Sequence, residues 1–254
     1  MKKLLTFLLC LIFVISSSML LTGCASVFDG NFQESSLDSV LSVAKKIDEV
    51  EESKHLSMEN GLSFYLYSTE QYTNLNYTLT MNGKAKIKNG IFRMAGTFQT
   101  TESFYSEKDA VSGNLYIYND YTLVDFTHNG VEAKIKLEQN VLADVDIPLE
   151  DFDTSVSFCD FLQTLHNLDG DLKLYLENSV ETGVKIKIEY AKSNYNQITL
   201  ILVCDSEYAI TAVRIEERDY ISTISTTTLE LTPYSGTVAL PDDLESYQLI
   251  TTYQ

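Results

Sequence analysis

Val184-Lys185-Ile186-Lys187-Ile188-Glu189 alternates apolar and charged side chains without a break. A strand points successive side chains to opposite faces, so this segment has one dry face and one wet face. A little further on, Ile198-Thr199-Leu200-Ile201-Leu202-Val203-Cys204 is apolar on both sides. It reads as a central strand covered on both faces. The half-wet pattern is that of an antiparallel sheet.

The same period runs outward in both directions. Leu172, Leu174 and Leu176 oppose Lys173, Tyr175 and Glu177. Ala133, Ile135 and Leu137 oppose Glu132, Lys134 and Lys136, and Leu115 and Ile117 oppose Tyr116 and Tyr118. Tyr77, Leu79 and Met81 alternate with Thr78 and Thr80, and Phe92, Met94, Gly96 and Phe98 share a face. Asn82-Gly83, Asn89-Gly90, Asn129-Gly130 and Asp169-Gly170 are tight-turn signals, because they supply the positive φ angles that short hairpins need. Tyr208–Glu216 and Tyr220–Leu231 close the series.

Two segments change to helical period. In residues 36–52, Leu37, Val40, Leu41, Ala44, Ile47 and Val50 recur at steps of three and four, with Ser36 as N-cap. In residues 155–168, Val156, Cys159, Leu162 and Leu165 do the same beside Phe158 and Phe161, with Asp153, Thr154 or Ser155 as cap. The expected fold class is α+β: a large curved antiparallel sheet, a half-barrel, whose dry face wraps two or more helices.

The N-terminus carries an address. Lys2 and Lys3 precede Leu4–Ile15, in which Thr6 alone is polar. As a helix that run spans ~18 Å, short of a ~30 Å hydrocarbon core, and suits a signal peptide. Leu21-Thr22-Gly23-Cys24 follows and resembles the lipobox of bacterial lipoproteins. The resemblance implies a diacylglyceryl group on Cys24, cleavage before it, and a lipid-anchored domain on the extracytoplasmic face of the cell membrane. The expected organisation is a signal peptide over residues 1–23, a lipidated tether over 24–33 and a single domain over 34–254. The tether would reach at most ~30 Å if extended.

The formal charge is −18. It becomes −20 for residues 24–254, since Lys2 and Lys3 leave and no acidic residue precedes Asp29. A polyanion cannot bind nucleic acid by neutralising phosphates. Solubility is the simplest reading of that charge.

The element order, the exported start and the terminal phrase Leu240-Pro241-Asp242-Asp243-Leu244 resemble the unclosed-barrel lipoproteins and lipoprotein carriers. That group includes LolA, LolB and the mycobacterial lipid-binding lipoproteins. The resemblance implies a cavity between sheet and helices that holds acyl chains. Candidate lining residues are Leu79, Met81, Phe92, Met94, Phe98, Phe158, Leu162 and Leu165.

Catalytic chemistry finds no motif. His55, His128 and His166 are widely spaced, and no Gly-x-Ser-x-Gly, HExxH or phosphate-loop pattern occurs. No enzyme activity, cofactor or metal is expected. The acidic run Asp144, Asp146, Glu150, Asp151 and Asp153 lacks calcium-loop spacing and reads as a solvated connector. Cys159 and Cys204 could form a disulfide outside the cell, or remain buried thiols. The sixteen tyrosines suit sugar or protein contact, and equally the covering of a sheet. The leading expectation is a membrane-anchored module binding a lipid or other hydrophobic ligand. The second is an envelope scaffold with a protein partner and no small ligand.

Overall fold

The computed structural model describes residues 27–55, 61–71, 74–88, 91–104, 107–118, 121–137, 157–179, 183–193, 196–219 and 223–250. The described elements begin with β1 (Gln33–Glu34) and α1 (Leu37–His55). A first meander follows: β2 (Leu62–Gln71), β3 (Leu75–Lys88), β4 (Ile91–Phe104), β5 (Glu107–Tyr118), β6 (Tyr121–His128) and β7 (Val131–Leu137). After α2 (Phe158–His166) comes a second: β8 (Asp171–Ser179), β9 (Gly183–Ser193), β10 (Asn196–Cys204), β11 (Ile210–Asp219) and β12 (Thr223–Pro233). The described chain ends at β13 (Gln248–Ile250).

All thirteen described strands belong to one sheet, ordered β1-β8-β9-β10-β11-β12-β2-β3-β4-β5-β6-β7-β13. Pairing of β12 with β2 fuses the two meanders. β13 lies parallel to β7, and the other described pairs are antiparallel. With β1 and β13 at opposite ends, the sheet is unclosed: an α+β half-barrel with two described helices.

Register turns the sequence alternation into two continuous faces. Leu174 pairs with Ile188, Ile188 with Leu200, and Leu200 with Ile215. One row along, Leu202 pairs with Val213, Val213 with Leu229, and Leu229 with Leu66. These side chains form the inner face. Val40, Ala44 and Ile47 of α1 and Phe158, Leu162 and Leu165 of α2 are buried in the same core. Ile186 and Leu202 are fully buried, and each such side chain contributes about 1.5–3 kcal/mol of hydrophobic stabilisation.

The doubly apolar strand has its explanation on the other side. Ile201 and Val203 of β10 project to the outer face, where they form a second buried cluster with Phe28 and Ala212, packed by Val27 and Phe32. Lys185 donates to the Asp29 carbonyl at 2.5 Å, and β1 pairs with β8. Part of the segment read as a tether, from Val27 onward, is therefore packed on the sheet. Its apolar residues have a site waiting in β10 and β11.

Three local expectations are corrected. Asn82-Gly83 makes no turn, because β3 runs straight through it and Gly83 pairs with Gly96. A Cβ on Gly83 would lie 2.4 Å from the Phe64 ring, and one on Gly96 would lie 2.7 Å from the Asn82 carbonyl. Glycine serves close approach here, not a positive φ. Asp169-Gly170 lies in the link from α2 to β8 rather than in a hairpin. Asn89-Gly90 is outside the described residues, although Lys88 and Ile91 pair across it. Asn129-Gly130 does turn β6 into β7, with φ of 51° and 77°.

The third correction concerns the start of α2. Its cap is Ser157, whose Oγ accepts from Asp160 N at 3.0 Å, and not one of residues 153–155. A second acceptor comes from the other helix. Asp48 of α1 accepts from Phe158 N at 2.6 Å and from Cys159 N at 3.1 Å. This carboxylate satisfies two orphan donors and faces the positive end of the α2 dipole. Asp48→Ala should lower the unfolding free energy by about 2 kcal/mol. Asp48→Asn, which keeps one acceptor oxygen, should lose about half of that. Urea unfolding monitored by circular dichroism checks both values. Ser36 caps α1 as expected, with Ser39 N donating to its Oγ at 3.3 Å.

Candidate functional site

The inner face extends beyond the helices. Ala85, Met94 and Ile117 are buried in the main core with α1 and α2. Farther along β3 to β7 the same face carries Leu79, Met81, Phe98, Leu115, Val124 and Phe126, all half-buried. They are matched across the strands, Met81 with Phe98 and Leu115 with Val124. At the far rim, Phe104 is 51% exposed and Val131 68% exposed. Beyond the Met81–Phe98–Phe126 row the face becomes mixed: Thr100 and His128 stand in one row with Leu79, Val111 and Val131, and Glu102 and Asp109 precede Phe104. An apolar area that remains half open is a favourable place for a hydrophobic ligand.

The outer face of the same strands is chemically different. Its register forms two rows. Tyr65 pairs with Asn82, Asn82 with Thr97, Thr97 with Asn114, Asn114 with Asp125, and Asp125 with Lys134. Tyr67 pairs with Thr80, Thr80 with Gln99, Gln99 with Ser112, Ser112 with Thr127, and Thr127 with Glu132. Between these rows lies a cavity of about 540 Å³, with Phe98 and Phe126 also bordering it. At its floor β5 approaches β6 so closely that a Cβ on Gly113 would lie 1.9 Å from the Asp125 carbonyl oxygen.

One end of the cavity is fixed by a hydrogen-bond network. Asp125 Oδ1 accepts from Asn114 N at 2.9 Å and from Asn114 Nδ2 at 2.5 Å. Asp125 Oδ2 accepts from the Tyr247 hydroxyl at 3.2 Å. Lys134 donates to the Asp243 carboxylate, and to Ser246 Oγ at 3.3 Å. Burial, followed by the charge of Asp125, raises the hydroxyl pKa of both Tyr116 and Tyr247 above the ordinary range. Both phenols remain protonated and able to donate at physiological pH.

The residues expected to line a cavity are divided between two environments. Met94, Phe158, Leu162 and Leu165 belong to the core beneath the helices. Leu79, Met81 and Phe98 lie on the half-open part of the inner face. The Phe92 side chain, Cys24 and the acidic run over residues 144–153 are outside what the structure describes. The polar rows were not anticipated. Their only trace in the sequence is the unusual density of Thr, Asn and Gln on wet strand positions.

Cys159 and Cys204 are both thiols. Cys159 donates weakly to the Leu41 carbonyl at 3.8 Å. Burial, with the nearby Asp48 carboxylate, pushes the Cys159 thiol up to about 12. At pH 8 only about one molecule in ten thousand then carries a thiolate there. Iodoacetamide at pH 8 should alkylate Cys159 about a thousandfold more slowly in the folded chain than in urea. Mass spectrometry of the Cys159 peptide measures the ratio. His128 Nε2 lies 3.0 Å from both carboxylate oxygens of Asp109 at the exposed end of β6. His166 ends α2, where a cation complements the helix dipole.

No family model matches the chain. No curated protein matches it either. Among solved structures, a crystal structure of a DUF1329 family protein from Desulfovibrio piger is similar over 84% of this chain and 99% of its own. The two are 12% identical, with a TM-score of 0.25. Among the described residues, no helix is long and apolar enough to cross a membrane.

Proposed function

We propose that this chain is an exported lipoprotein, anchored through lipid on Cys24, that holds an acyl chain against the open part of its inner face. The observation that carries the reading is the half-buried apolar row Met81, Phe98 and Phe126, which continues the inner face beyond the buried core under α1 and α2. A half-barrel whose helices covered its whole dry face would leave no such surface. Here the helices dock mainly on the β8–β12 side, and β3–β6 keep a strip lined by Met81, Phe98 and Phe126. Each buried methylene of a ligand contributes ~0.8 kcal/mol, so a long chain on this strip gains affinity without any polar partner. The anchor rests on Leu21-Thr22-Gly23-Cys24 and the short apolar run before it. Envelope anchoring would place the strip close to a source of lipid.

The test has two arms. The chain starting at residue 25, purified from a bacterial cytosol without detergent, should release about one lipid per molecule on organic extraction. Extracts with no lipid above a matched control would contradict the ligand. In the native host, an alkyne-tagged fatty acid should label the full chain and fail to label Cys24→Ala. Equal labelling of the two would contradict the anchor while leaving the ligand standing.

A further inference from the structure

We infer that the cavity on the outer face of β3–β7 is a binding site for a neutral oligosaccharide, separate from the acyl-chain strip on the opposite face. The first ground is shape. A concavity of about 540 Å³ lies within the ~300–1,000 Å³ typical of small-molecule sites. The wet face of an ordinary half-buried sheet has no such hollow.

The second ground is the lining. Thr80, Thr97, Ser112 and Thr127 bring hydroxyls, while Asn82 and Gln99 bring carboxamides. Each of these groups both donates and accepts. Sugar hydroxyls make the same double demand, whereas a phosphate or a carboxylate needs donors alone. Thr97, Gln99, Ser112 and Thr127 are exposed and accessible to a ligand.

Charge narrows the class further. The charged members of the lining are Asp125, Glu132 and Lys134. Lys134 is the lining's only cation among the described residues, and it is committed to Asp243 and Ser246. An anionic polymer would meet two carboxylates and a molecule of net charge −18. A neutral chain meets no such repulsion.

The third ground is the flank. Tyr65 and Tyr67, each 37% exposed, stand at the head of the two polar rows beside Asn82 and Thr80. Their rings offer flat apolar surface to the C–H face of a sugar while their hydroxyls stay in water. Aromatic platforms next to a bed of hydroxyls and amides provide both halves of saccharide recognition.

Calorimetry on the full chain, prepared without a glycosidic detergent, tests the site. The probes are cellotetraose, maltotetraose and tetra-N-acetylchitotetraose, with tetragalacturonate as the anionic comparison. At least one neutral tetraose should bind with a Kd on the order of 1 mM or tighter. Tyr67→Ala and Gln99→Ala should each weaken it about tenfold. Met81→Glu, on the other face and outside the lining of the cavity, should leave it unchanged. Preference for tetragalacturonate, absence of heat from every neutral probe, or affinity unaltered in both Tyr67→Ala and Gln99→Ala would overturn the assignment. None of these outcomes bears on lipid extraction, so the two sites stand or fall separately.

Discussion

Glutamate at both Met81 and Phe98 is expected to cut co-purified lipid at least tenfold while the chain still folds. The two side chains face each other directly across β3 and β4 on the inner face. Both are half-buried, unlike Met94, which is 6% exposed in the core. A carboxylate placed on the strip stays hydrated only while the strip remains open to water. Covering it with an acyl chain removes that hydration at a cost of several kcal/mol per charge. The free chain has no such conflict, and its unfolding temperature should fall by only a few degrees. Lipid quantified per mole of protein, beside a melting curve of the same sample, separates lost binding from lost folding. Lipid retained at the wild-type ratio by a folded double variant would exclude the strip as its location.

The second large effect concerns the segment between the anchor and the domain. Phe28 is 5% exposed and packs with Ile201, Val203 and Ala212 on the outer face. The Arg214 guanidinium lies over its ring at 5.9 Å. Phe28→Ala should destabilise the chain by about 3 kcal/mol, the lower end for a buried phenylalanine, because the satellite cluster is small and can partly close. For a domain of this size that corresponds to a fall in melting temperature of roughly 10 °C. The variant should also expose Ile201 and Val203 and accelerate proteolysis between residues 24 and 34. A freely hanging tether would show neither effect. If Cys24 carries lipid, only residues 25 and 26 separate it from the docked segment, and the outer face of β10 and β11 would be held near the bilayer.

The sheet was readable because its signal is local and repeated. Leu172, Leu174 and Leu176, or Val184, Ile186 and Ile188, announce their face without knowledge of any partner. The two helices were readable for the same reason, through the spacing of Val40, Ala44 and Ile47 and of Phe158, Leu162 and Leu165. What escaped depends on contacts distant in sequence. Asn82-Gly83 matches a hairpin turn until Phe64 and Gly96 are placed against Gly83. The α2 cap could not be found near residue 153, because part of it, Asp48, lies on the other helix. Val27, Phe28 and Phe32 look like scattered apolar residues in a linker until the outer side of β10 is seen to need cover. The polar cavity escaped most completely. Thr80, Gln99, Ser112 and Thr127 are unremarkable as solvent-facing strand residues, and only register lines them up.

The most direct test of acyl-chain binding on the inner face is photo-crosslinking with a diazirine-bearing fatty acid, followed by peptide mapping. Adducts on the strands carrying Met81, Phe98 and Phe126 are expected, and an excess of unlabelled fatty acid should suppress them. Adducts confined to the outer face around Tyr65 and Tyr67, or none that competitor removes, would contradict it.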